Sequence, residues 1–196
     1  MIYGAVKIFF TSIFKIFFRM EVEGRENIPE SGPLVMASNH LSVLDPPVIG
    51  TASTRKPYFM AKEELFVPVF GHICKFLGAF PVKRGSADMI AIRHSLEILK
   101  NGEVLAVFPE GTRSKTGKLG IAEPGTMMLA AKGKAAILPT CVSGTDVFRC
   151  GKIWPKVKVI FGKPIPCPEN ADKETLKKIT DELMEKIAIL QEGKKI

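Results

Sequence analysis

His40 and Asp45 stand five positions apart in Ser38-Asn39-His40-Leu41-Ser42-Val43-Leu44-Asp45-Pro46-Pro47, at the end of an apolar run. An aspartate at that distance can fold back onto the imidazole. It would fix the tautomer, leave the other ring nitrogen as a base and stabilise the imidazolium. These are two thirds of a catalytic triad, whose third member is a hydroxyl of the enzyme or of the substrate. The blander alternative is a surface turn in which Asp45 caps a helix. A second apolar run, Val104–Phe108, opens into Pro109-Glu110-Gly111-Thr112-Arg113-Ser114. That loop offers a carboxylate, a glycine that permits close backbone approach, a hydroxyl and a guanidinium suited to a bidentate grip on phosphate. A third run, Gly78 to Val82, ends in Lys83-Arg84-Gly85. Each charged group alone reads as readily as a solvated surface residue.

What must position these groups is an alternation of strands and helices. Strands are expected at 33–38, 57–61, 79–83, 104–108, 136–142 and 156–161, as short continuous apolar runs of the kind covered on both faces. Helices are expected at 86–100, with Asn101-Gly102 as its stop, at 65–77, broken early by Pro68, and near the C-terminus. There Leu176, Ile179, Leu183, Ile187 and Leu190 form one apolar stripe. Alternation of this kind predicts an α/β fold with a single mostly parallel (mixed) sheet flanked by helices. Ligands of such sheets collect at the carboxyl ends of the strands, so the three loops would converge on one crevice.

Residues 1–20, MIYGAVKIFFTSIFKIFFRM, are the most hydrophobic stretch. Lys7 and Lys15 interrupt what a spanning helix requires, and neither a cationic start nor a small-residue cleavage site marks a secretory signal. Lys7, Thr11, Lys15 and Arg19 recur every fourth position among Ile, Phe and Val. This predicts a helix lying in the membrane interface, its cations toward anionic headgroups, followed by one domain over 21–196. An amphipathic helix closing a soluble core is the alternative.

Composition narrows the remaining classes. Lys plus Arg number 28 against 20 Asp plus Glu, a net charge of +8 that suits nucleic acid, an anionic membrane or a phosphorylated substrate equally. No aromatic-basic module supports nucleic acid. Cys74, Cys141, Cys150 and Cys167 form no C-x-x-C pair and have no histidine near enough for a zinc cluster, so no metal is expected. They are read as reduced thiols of a cytosolic protein. Gly111 and Gly117-Lys118 have one residue too many between them for a phosphate-binding P-loop, and no G-x-S-x-G elbow occurs.

Four blocks in register, Asn39-His40-x-x-x-x-Asp45, Gly78-Ala79-Phe80-Pro81-Val82-Lys83-Arg84, Phe108-Pro109-Glu110-Gly111-Thr112-Arg113-Ser114 and Ile137-Leu138-Pro139, resemble the glycerolipid acyltransferases. Within them the nearest group is the 1-acyl-sn-glycerol-3-phosphate acyltransferases of PlsC type. Glu23 to Pro29 is similar to the family's entry segment, and the resemblance covers about residues 20–165. It implies transfer of an acyl chain from acyl-CoA or acyl carrier protein to the 2-hydroxyl of lysophosphatidic acid, without a cofactor, at the cytoplasmic face of the cell membrane. His40 would be the base, Asp45 its orienting partner, and Arg84 and Arg113 the phosphate grip. Glu110, Gly111 and Thr112 would shape that pocket, and Lys62, which matches a lysine common in the family, would touch phosphate or the oxyanion. Another acceptor, such as glycerol 3-phosphate or a different lysophospholipid, and a non-catalytic lysolipid-binding protein are the alternatives. The sequence departs from the family at Ala122-Glu123-Pro124-Gly125, which lacks the usual Phe and Lys, and at Lys83, where relatives often carry an acidic or neutral residue.

Overall fold

The structure is a computed structural model that describes residues 2–68, 70–83, 88–123, 125–146, 156–169 and 171–193. In chain order its elements are α1 (Ile2–Phe18), β1 (Glu21–Glu23), β2 (Leu34–Ser38), α2 (Asp45–Ala52), β3 (Pro57–Lys62), α3 (Phe70–Phe76) and β4 (Ala79–Val82). Then follow α4 (Met89–Lys100), β5 (Val104–Val107), α5 (Gly125–Lys132), β6 (Ala136–Ser143), β7 (Lys158–Phe161) and α6 (Lys173–Gln191). The strands form one seven-stranded sheet in the order β1-β7-β6-β2-β5-β3-β4. Every pairing is parallel except β6 with β7.

Each expected strand is present to within two residues of its predicted bounds. The central ones are legible because they are buried on both faces, so their side chains need no polar alternation. Successive residues point to opposite faces. Val35, Ala37, Leu105, Val107 and Ile137 pack against α4, α5 and α6, through Leu99, Met127, Leu183 and Ile187. Leu34, Met36, Val104, Ala106 and Leu138 pack on the other face against Val48 and Ile49 of α2 and Phe14 of α1. Complete burial of each such Leu or Ile contributes about 1.5–3 kcal/mol of transfer free energy. Asp88 caps α4 by accepting from the N–H groups of Ile90 and Ala91, and Asp172 caps α6 through Thr175 N–H.

α1 has two apolar faces. Phe10, Phe14 and Phe18 follow one another along the inner one, the first pair stacked and the second edge to face. Ile8, Phe9, Ile16 and Phe17 on the outer one are 69%, 62%, 64% and 55% exposed. Lys7 departs from the expectation that the helix's cations meet headgroups: its ammonium turns inward and donates to the Ser53 carbonyl, while Lys15 and Arg19 are exposed. Burial is the main cause, with nearby Arg25 adding to it, of a Lys7 pKa below the usual lysine range. The helix is joined directly to the sheet: Val157 N–H donates to Phe18 O at 2.9 Å and Glu21 N–H to Val157 O at 2.9 Å. Among the described residues no helix is long and apolar enough to cross a membrane.

Candidate active site

Because β2, β5, β3, β4 and β6 run the same way, the loops that follow them leave one edge of the sheet. Asn39, directly after β2, locks this edge to β6. Its side-chain amide donates to Val142 O at 2.9 Å and its oxygen accepts from Val142 N at 2.8 Å. The chain then turns and begins α2 at Asp45, followed by Pro46, which fits a first helical turn where its missing N–H has no partner to lose. Asp45 is completely buried and its carboxylate points back at the turn. Oδ2 accepts from Leu41 N–H at 2.6 Å and Ser42 N–H at 2.8 Å, and lies 2.7 Å from His40 Nδ1. A carboxylate only accepts, so the proton between them belongs to Nδ1, and Nε2 carries the lone pair.

The loop after β5 fixes His40 from its other side. The imidazole stacks on the Phe108 ring with centroids 3.9 Å apart and planes at 15°. His40 N–H donates to Glu110 Oε1 at 3.1 Å, and His40 O accepts from Ser114 N–H at 2.8 Å. The other Glu110 oxygen accepts from Gly120 N–H at 2.7 Å, so this carboxylate braces the two loops against each other. Gly111 has a φ of 66°, a conformation that glycine adopts at little cost.

His40 lines a cavity of 600 Å³ between β3, α2, α3 and α1. Its walls are mostly apolar, among them Phe10, Leu44, Phe59, Met60, Ile73 and Leu77, and its polar lining includes His40, Lys62, Arg113 and Lys7. Cys74 also faces it, with a thiol pKa raised by burial. An adjoining apolar groove shares Phe10, Ile73 and Leu77 and adds His72 and Phe76. Of the residues singled out in the sequence, His40, Lys62 and Arg113 therefore share one cavity. Glu110, Gly111 and Thr112 are absent from its lining, and Arg84 lies outside the described residues. Cys141 is buried in β6 with its thiol pushed up to about 12, and Cys150 is outside the described residues. No three His, Cys, Asp or Glu side chains gather as a metal site among the described residues.

Sequence reading missed three contributors. Phe108 was visible only as a strand end, and Asn39 only as a neighbour of His40. Thr145 carried no signal at all: its hydroxyl donates to Asp45 Oδ1 across 100 positions of chain. The adjacency of β6 and β2 brings them together. Gly144, at φ 74°, makes the turn, and a Cβ there would lie 2.1 Å from Lys156 O.

Fold and site together define an α/β protein with an aspartate-oriented imidazole at the mouth of an apolar cavity. The acyltransferase family model matches residues 19–143, and the chain belongs to that family. It is 32% identical over 183 residues to a 1-acyl-sn-glycerol-3-phosphate acyltransferase of Bacillus subtilis, covering 88% of each chain. It is 37% identical over 164 residues to a chloroplastic 1-acyl-sn-glycerol-3-phosphate acyltransferase of Arabidopsis thaliana, covering 76% of this chain and 44% of that protein. The chain spans about half the length of the plant relatives it matches. Its fold is similar to the crystal structure of the 1-acyl-sn-glycerophosphate (LPA) acyltransferase PlsC from Thermotoga maritima. That match has a TM-score of 0.79 at 30% identity and covers 96% of this chain and 79% of the other.

Proposed function

We propose that the protein transfers an acyl chain from an acyl thioester to the 2-hydroxyl of 1-acyl-sn-glycerol 3-phosphate, giving phosphatidic acid. The observation that carries this reading is the His40–Asp45 pair opening on an apolar cavity, with the Arg113 guanidinium in the same lining. The catalytic site has a base and its orienting partner, and the acceptor's own hydroxyl is the natural nucleophile. His40 Nε2 removes the hydroxyl proton as the oxygen attacks the thioester carbonyl. The carbon–sulfur bond then breaks and the proton returns from His40 to the departing thiolate, so the imidazole is regenerated. Arg113, with Lys62 in the same cavity lining, holds the glycerol phosphate, and the apolar walls take acyl chain. Arg84, in the same sequence block as Lys83, is proposed to share the phosphate. Glu110, Gly111 and Thr112 shape that subsite indirectly, through the loop that Glu110 braces.

The substrate is a membrane lipid, and the exposed outer face of α1 supports docking at an anionic bilayer surface, with the protein peripheral to it. The donor is acyl-CoA or acyl carrier protein. The test is thiol release from palmitoyl-CoA in detergent, with and without lysophosphatidic acid, for the wild type and His40→Ala. Acceptor-dependent release that falls by about four orders of magnitude in the variant is the expected result. Release without acceptor would instead define a thioesterase. Binding of lysophosphatidic acid with no turnover from either donor would define a lipid-binding protein.

A further inference from the structure

We infer that Thr145 is a positioning residue for the reaction, acting through Asp45; the inference rests on the acyl-transfer reading of the His40 site. Asp45 and Thr145 are both 0% exposed, so bulk solvent does not reach the carboxylate. The carboxylate's two oxygens are supplied unequally. Oδ2 has His40 Nδ1, Leu41 N–H and Ser42 N–H around it, whereas Oδ1 has, among the described residues, the Thr145 hydroxyl. A buried anionic oxygen left without a donor is costly, and the carboxylate can relieve that cost by rotating about its Cβ–Cγ bond. Such a rotation would move Oδ2 off the line to Nδ1. Thr145 therefore holds the plane of the carboxylate, and through it the tautomer and aim of the imidazole.

The surrounding backbone is built to deliver that hydroxyl. Asn39 clasps Val142, three residues upstream of Thr145, and Gly144, in a left-handed conformation, bends the chain directly before Thr145. The base is thus gripped from both sides of β2. The loop after β5 supplies Phe108 and Glu110, and the segment just after β6 supplies Thr145.

Thr145→Val removes the hydroxyl and keeps the branched shape. It should lower kcat for acceptor-dependent thiol release by about ten- to a hundredfold, the loss of one hydrogen bond to a charged group. The KM values for palmitoyl-CoA and lysophosphatidic acid should stay within about twofold. Thr145→Ser, which restores the donor, should recover most of the rate, and Thr145→Ala should match the valine variant. NMR of imidazole-labelled protein gives a readout independent of turnover. The Nδ1-bound proton of His40 should shift or broaden in Thr145→Val and keep its wild-type signal in Thr145→Ser. An unchanged kcat and an unchanged Nδ1 proton in the valine variant would overturn the inference, as would a serine variant as impaired as the valine one. If the wild type itself showed no acceptor-dependent release, the acyl-transfer reading would fail, and the Nδ1 signal would still decide whether Thr145 sets the imidazole.

Discussion

The two ends of the cavity are built by opposite means. At the His40 end the groups that orient the imidazole are polar and enclosed: Asp45 and Thr145 are 0% exposed, and backbone N–H groups from the turn converge on one carboxylate. At the α1–α3 end the side chains are apolar and left open, with Ile73 47% and Phe76 38% exposed. The first arrangement holds one imidazole in one orientation, because buried polar groups tolerate few alternatives. The second imposes no directional constraint, which suits chains of methylenes that need area rather than angle. Orientation and access are thereby assigned to different parts of the molecule.

The contrast can be tested from the enclosed end outward. Asp45→Ala strikes the enclosed end and should have the largest effect. It leaves the Leu41 and Ser42 N–H groups and the Thr145 hydroxyl without their acceptor, and kcat should drop by about three to four orders of magnitude. A variant that stayed folded by circular dichroism and kept its rate would end the case for an oriented base. Arg113→Ala acts in the cavity lining, where the residue is exposed and solvent weakens its charge. The KM for lysophosphatidic acid should rise about tenfold with kcat little changed. An equal rise with an uncharged acceptor such as a monoacylglycerol would remove phosphate from the explanation. Phe9→Ser with Phe17→Ser leaves both ends in place and alters only the exposed outer face of α1. Partition onto vesicles containing anionic lipid should weaken about tenfold, while turnover in detergent stays within about twofold of wild type. Unweakened partition would show that this face meets something other than a bilayer.

Legibility in the sequence followed burial. β2, β5 and β6 were readable because strands covered on both faces are unbroken apolar runs. α2 was not, since Asp45-Pro46-Pro47 looks like a turn until the helix start accommodates both prolines. β1 was too short and too charged to stand out from Glu21-Val22-Glu23 alone, and α5 opens on Gly125, a poor helix former. Within the site, His40 and Asp45 could be paired because the contact is local. Glu110 was visible as a carboxylate but not as a brace, since its partners, the His40 and Gly120 N–H groups, are backbone. Thr145 was invisible because strand order, rather than chain order, makes β6 the neighbour of β2.

The junction between α1 and the sheet has one more consequence. Phe18 and Glu21 are hydrogen-bonded to Val157, β1 pairs with β7, and Lys7 is tied to the end of α2. The helix is therefore no flexible tether. Whatever plane its outer face rests on, His40 stands at a set height and tilt above that plane. Acceptors would then be sorted by how deep their hydroxyl sits before any side chain touches them.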